Sequence, residues 1–335
     1  MATNETTIES KPEPQMKRRG RFAELMLRLW HEKPLGVVGL VIVLLLFLTG
    51  IFAPWIAPEK GTADSPGYNI IHLMDRFAPP GPEYPLGADQ LGRDVLSRII
   101  YGARLSMIVA VVGTLINTVV STTLGMACAY FGGMFDLIVQ RFVDAWVCFP
   151  GLVLLITLMS IVGPGLTQLL LIIGISGGIY STRFKRSLVF AIRENQYVYA
   201  SEALGSRPGR VMMRHLLPNI MPMIIVIYSM NMGGTILFEA SLSFLGLGLP
   251  PPNPSWGGMI SGEGRANMLL APWVMFWPGL VLSLVVFGIN MLGDALRDLL
   301  DPRLRGGVGG LGTFGSEKAR KAREKKLAGE AKSTG

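Results

Sequence analysis

AWVCFPGLVLLITLMSIVGPGLTQLLLIIGISGGIYST, residues 145–182, runs for 38 residues without a charged side chain. A helix crosses a hydrocarbon core of ~30 Å with about 20 residues, so the run is too long for one crossing and suits two. Gly163-Pro164-Gly165 near its middle supplies the break, because proline removes a backbone donor and glycine lets the chain turn sharply. Two membrane helices, near 142–162 and 166–182, are therefore expected. Reading two rather than one makes the total even, and that decides on which side of the membrane each loop lies.

Four more apolar runs accompany this pair. Residues 35–55 hold 14 Leu, Ile, Val or Phe between Leu35 and Phe52, each favouring insertion by roughly 0.3–0.6 kcal/mol at the helix centre. The others lie near 105–134, 216–240 and 272–293, the last with Pro272 near its start and Pro278 able to kink it. Half of the 335 residues are apolar, 16% are charged and the mean hydropathy is +0.43, more apolar surface than a soluble chain of this length needs. The expected fold is all-α: a polytopic membrane protein with six transmembrane helices. With both termini cytoplasmic, 25 of the 31 Lys and Arg residues fall on the cytoplasmic side, as retention of positive charge requires.

Outside the helices the chain divides by composition. Residues 1–16 are polar, with Pro12 and Pro14, and are expected to be disordered. Over 17–34, Phe22, Leu25, Met26, Leu29 and Trp30 recur at helical spacing among Arg18, Arg19, Arg21, Arg28 and Lys33, which describes a basic amphipathic helix lying on the membrane. The membrane domain is expected over 35–305, with an outer loop 58–104, a cytoplasmic loop 183–217 and a basic flexible tail 306–335. The outer loop ends in an apolar stripe of Leu91, Val95 and Ile99, read as a second interfacial helix. Gly- and Pro-rich residues 246–264 read as an irregular outer loop.

The side chains exclude several kinds of chemistry. No G-x-x-x-x-G-K-[ST] loop occurs, so ATP-driven work would need a nucleotide site on another subunit. His31, His72 and His215 are far apart, and Cys128 and Cys148 lack metal-ligand spacing and are expected to be free thiols, so no metal site is expected. Gly174-Ile175-Ser176-Gly177 looks like a membrane-protease serine motif, yet neither later helix offers a histidine base. Gly174 and Gly178 read instead as a small-xxx-small helix-packing pair, as Ser121, Gly125 and Ala129 do in the second helix. Gly307, Gly309 and Gly312 have dinucleotide-type spacing but no preceding strand. The net charge of +8 sits in juxtamembrane segments, which points to anionic lipid and not to nucleic acid. A stand-alone secondary transporter would carry ionisable residues at mid-membrane depth, and the helix centres lack acids.

Three charged residues stand at membrane edges. Arg141 and Asp144, three apart, are expected to pair along one helix face. Glu239 closes the fifth helix, where a role in a pathway and a local hydrogen-bonding role both remain open. The stretch Glu194-Asn195-Gln196-Tyr197-Val198-Tyr199-Ala200-Ser201-Glu202-Ala203-Leu204-Gly205, followed by Arg207-Pro208-Gly209-Arg210, reads as short helix, turn, short helix. It suits either docking to a cytoplasmic partner or simple connection.

This loop resembles the signature of binding-protein-dependent ABC importer permeases, E-A-A, three residues, G, nine residues, I, one residue, L-P. Tyr199-Ala200-Ser201 fall at E-A-A, followed by Glu202 and Ala203. Gly205 falls at the glycine, His215 at the isoleucine, and Leu217 and Pro218 at the close, with Tyr199 and His215 as departures. Pro85–Asp94, Glu239–Gly248 and Leu292–Arg303 resemble the second, C-type permease subunit of the dipeptide, oligopeptide and nickel branch. The resemblance implies a type I ABC importer permease fold in a bacterial inner membrane. It implies a homologous second permease subunit, two ATPase subunits that hold the ATP and Mg, and an extracytoplasmic solute-binding protein. No cofactor on this chain is implied. The cargo would be di- or oligopeptides or similar small solutes, with nickel or sugars as alternatives, and the helix at Ala200–Gly205 would fit a groove on an ATPase.

Overall fold

The computed structural model describes residues 29–30, 32–58 and 67–300. The expectations for 1–16 and 306–335, and most of that for 17–34, lie outside these residues. Apart from an isolated bridge between Ala88 and Asp94, every described regular element is helical. The helices are α1 (Pro34–Ile51), α2 (Val95–Phe131), α3 (Gly133–Val147), α4 (Gly151–Val162), α5 (Leu166–Arg193), α6 (Gln196–Ala203), α7 (Pro208–Phe244) and α8 (Trp273–Leu300). Four of them, α1, α2, α7 and α8, are long and apolar enough to cross a membrane, and α3 with α4 makes a fifth if that bent pair is one span. The 28-residue α5 is uncharged from Leu166 to Thr182 and carries its charges from Arg183 onward.

Three expected boundaries are corrected. The interfacial helix and the crossing expected from residue 105 are a single helix of 37 residues, α2, which Arg104 does not interrupt because its side chain is exposed. The Asp94 carboxylate caps it, accepting from Leu96 N at 3.3 Å and Ser97 N at 2.8 Å. The helix expected over 142–162 is broken between Val147 and Gly151 and bends by 92°; Pro150 there has no N–H with which to continue the ladder. Finally, α5 does not stop at Thr182 but continues to Arg193. Its arginines find partners on neighbouring helices: Arg183 pairs with Asp144, Arg186 Nε with Asp136 at 2.6 Å, and Arg193 donates to the Ala129 carbonyl at 2.7 Å.

Small residues set how closely the helices approach. In lipid, helices associate through van der Waals contact rather than water exclusion, so close approach carries much of the adhesion. A Cβ on Gly178 would lie 2.7 Å from Val120 Cβ, and one on Gly174 would lie 2.6 Å from Ile116 Cβ, so α5 sits directly against α2. On the α2 side Ser121 and Ala129 are fully buried in the same seam. A second seam joins α1 to α8, where Gly39 lies against the Gly288 carbonyl and the Leu292 amide. Lys33 Nζ closes its end on Asp298 at 2.6 Å. Gly178→Leu is expected to destabilise the chain by about 1–3 kcal/mol through overpacking. Gly209→Leu, where a Cβ meets nothing within 4 Å, should leave thermal unfolding in detergent unchanged.

At the far end of the bundle the segment 67–94 is pinned by buried charge. Asp89, 1% exposed, accepts from Leu91 N at 2.8 Å, Arg93 N at 3.0 Å and Arg93 Nε at 2.6 Å, and Arg98 Nε lies 3.6 Å away. The Trp273 indole donates to the Ala88 carbonyl at 3.2 Å, and the Trp256 indole to the Ile99 carbonyl at 3.1 Å. These bonds fasten the segment and the turn at Trp256 to the ends of α2 and α8.

Candidate coupling surface and membrane cavity

The loop between α5 and α7 is a built element. On α6 the side chains of Val198 and Ser201 point inward, and Val198 packs with Val189, Val211, Leu216 and Ile220 beneath the ends of α2 and α5. Tyr199, Ala200, Ala203 and Leu204 face outward, Leu204 being 87% exposed. The helix ends in a Schellman turn: Ser206 N bonds to Ser201 O at 3.2 Å and Gly205 N to Glu202 O at 2.8 Å. Gly205 has φ +77°, a conformation that only glycine adopts without steric cost, and open space lies where its Cβ would point.

The remaining loop residues, Pro218 apart, turn toward the protein. Glu202 is half-buried, with its carboxylate beside the Tyr130 phenol, whose ring also lies 5.7 Å under the Arg193 guanidinium. His215 sits in a π turn, Met212–Leu216, at the base of α7, with its ring 6.3 Å from that of Tyr197. Asn219 Nδ2 ties the two together, donating to the Tyr197 hydroxyl at 3.2 Å and to the His215 carbonyl at 2.6 Å. Leu217 is half-buried and Pro218 exposed at the next turn. The sequence-predicted loop residues thus split into an outward set of Tyr199, Ala200, Ala203 and Gly205 and an inward set of Ser201, Glu202 and His215.

The three membrane-edge charges are accounted for locally. Arg141 pairs with Asp144 at 3.3 Å, and Arg183 of α5 joins the same carboxylate. Glu239 is 1% exposed and accepts from the Ser243 hydroxyl at 2.7 Å. It does not line the cavity described next. No cluster of three His, Cys, Asp or Glu suited to a metal occurs among the described residues.

A feature the sequence reading missed lies among α2, α5, α7 and the start of α4. A cavity of about 440 Å³ is lined by Asn117, Tyr180, Ser181, Asn231, Gly234 and Thr235, among others, with no charged side chain. The Thr114 hydroxyl donates to Thr235 Oγ1 at 3.0 Å, Thr235 Oγ1 donates in turn to the Asn231 carbonyl at 3.0 Å, and the Tyr180 hydroxyl donates to the Phe149 carbonyl at 2.5 Å. Asn117 is 9% exposed, and its Oδ1 has no hydrogen-bond partner. The signal for this site was present in the sequence: Asn117 and Asn231 are carboxamides inside membrane-spanning helices, where an unsatisfied polar group is costly.

Comparison with known proteins places these features in a family. The model for binding-protein-dependent transport system inner membrane components matches residues 121–306, and that for the N-terminal transmembrane domain of oligopeptide transport permease C matches residues 22–80. The dipeptide transport system permease protein DppC of Alkalihalophilus pseudofirmus is 38% identical over 297 residues, covering 88% of this chain and 94% of that one. The glutathione transport system permease protein GsiD of Escherichia coli is 33% identical over 284 residues, covering 83% and 91%. In such systems ATP hydrolysis belongs to separate ATPase subunits and solute capture to a binding protein. The chain belongs to the inner-membrane components of binding-protein-dependent transport systems, in the C-type permease branch of the oligopeptide and dipeptide group.

Proposed function

We propose that the chain forms half of the membrane pathway of an ATP-driven importer for di- or oligopeptides. The observation that carries this reading is the likeness to a dipeptide permease across nearly the whole length of both chains. A homologous permease subunit supplies the other half, and six crossings, counting α5 and the bent α3–α4 pair, leave both termini cytoplasmic. Two ATPase subunits hold ATP and Mg, and this chain binds no cofactor. The outward face of α6, with Tyr199, Ala200, Ala203 and Leu204, seats in an ATPase groove. Closure of the ATPase pair on ATP then pushes α6 as a unit, and the packed contacts of Val198 carry the push to α2, α5 and α7. Driving a two-state element from 1:99 to 99:1 takes about 5.5 kcal/mol, so the docked helix must not melt under load. The inward anchors and the Schellman turn supply that rigidity.

The test is uptake of labelled dipeptides, longer peptides and nickel by cells lacking the chain, compared with cells in which it is restored. Loss of peptide uptake that returns on restoration is expected. A selective loss of nickel uptake would move the substrate to the other arm of the branch, and unchanged uptake of all three would sink the peptide reading.

A further inference from the structure

We infer that the cavity among α2, α5 and α7 is a contact site for the amide backbone of the transported peptide, with Gly234 as the residue that sets its bore; the inference rests on the peptide-importer reading above. Its volume of about 440 Å³ falls within the range of small-molecule sites, roughly 300–1,000 Å³. The lining offers hydroxyl and carboxamide groups and no charge, a chemistry that matches uncharged N–H and C=O groups. It has no counter-ion for a charged side chain. Two of the lining hydroxyls, those of Thr235 and Tyr180, bond within the protein. Asn117 Oδ1 is a buried acceptor without a donor; turning the carboxamide toward the cavity that Asn117 lines lets a peptide N–H supply one.

Two glycines keep the space open. Gly177 backs Asn117, with a Cβ there meeting the Asn117 carboxamide nitrogen at 2.4 Å, so it fixes where that side chain stands. Gly234, on α7, has nothing within 4 Å of its Cβ position and lines the cavity. Its neighbour Gly233 faces α8 instead, with Asn290 at 3.0 Å. A side chain at Gly234, which is exposed and borders the cavity, therefore has room at its mouth without meeting the packed helix faces. Backbone recognition without charge selection gives a membrane site that tolerates many side chains, and leaves discrimination among peptides to the binding protein.

The assembled importer, reconstituted in proteoliposomes with its binding protein, tests this with labelled dialanine. Gly234→Leu is expected to lower uptake roughly tenfold or more by filling the bore, while subunit assembly and the ATPase rate stimulated by the loaded binding protein are retained. Gly234→Ala should keep most of the uptake. In a Cys148→Ser background, the thiol introduced by Gly234→Cys should react with a small aqueous reagent more slowly when dialanine and ATP are turning over. Normal dialanine uptake by Gly234→Leu, or a thiol reaction rate that dialanine does not change in an importer that moves it, would overturn the site. Where the unsubstituted importer moves a labelled longer peptide and not dialanine, the same readouts are taken with that peptide; an importer that moves neither would overturn the peptide reading and the site with it.

Discussion

Gly205→Arg abolishes uptake while the chain still inserts and folds. Insertion rests on the apolar helices α1, α2, α7 and α8, and a Cβ at this position meets nothing within 4 Å. Holding a residue with a Cβ at φ +77° costs roughly 1–2 kcal/mol, because the Cβ crowds the following carbonyl. That strain loosens the last turn of an eight-residue helix but does not unfold a bundle anchored elsewhere. The new side chain projects into open space on the same exposed surface as Ala203 and Leu204, the face proposed above to seat in an ATPase groove. The measurements are uptake in cells, expected near background, and the amount of chain in the membrane, expected near normal. Gly205→Ala separates strain from bulk: it carries the same backbone penalty without the length and should keep part of the uptake. Full uptake in the arginine variant would remove the loop from the coupling path.

Asp89→Ala produces the other large effect, and here the loss is of the folded protein itself. The Asp89 carboxylate is enclosed, with the guanidinium of Arg93 bound to it and that of Arg98 beside it, both almost wholly buried. Removing one partner of a buried charge network takes from Arg93 and Arg98 the carboxylate between them, at a cost of about 3–5 kcal/mol. Two backbone amides, of Leu91 and Arg93, lose their acceptor as well. A drop in detergent-solubilised melting temperature and in membrane abundance is expected. Asp89→Asn keeps the shape and some of the acceptors and should fall between. Unchanged stability in Asp89→Ala would mean that the segment 67–94 contributes little to holding α2 and α8 together.

How much of this was legible beforehand varies with the range of the interaction. The turn at Gly163–Gly165 and the helical loop ending at Gly205 rest on local chemistry, and the sequence displays both. The interlock of Gly174 and Gly178 with α2 was visible as small-residue spacing, although which helix they met was not. Long-range pairing was hidden. The partners of Arg186 and Arg183 lie 50 and 39 residues away, so α5 seemed to end where its charges begin. Lys185 counted as one more solvated positive charge, yet its side chain is wholly buried between neighbours. Arg104 was taken as a boundary, although an exposed arginine does not interrupt a backbone ladder. The cavity was missed for a different reason: Asn117 and Asn231 stand 114 residues apart on different helices, and only packing shows that they border one gap.

The seam between α1 and α8, closed by Lys33 and Asp298, carries a consequence for how the protein is made. Gly39 and Gly288 belong to helices at opposite ends of the chain, and neither has its close-fitting partner until both exist. Roughly 220 residues separate Ile51 from Trp273, so at a synthesis rate of ~5–20 residues per second α1 waits about 10–45 s in the bilayer with its glycine face uncovered. During that interval the face is open to any other helix that fits. A ribosome that stalls before α8 leaves behind a first helix without its mate, and a membrane quality-control protease can recognise that helix as unfinished.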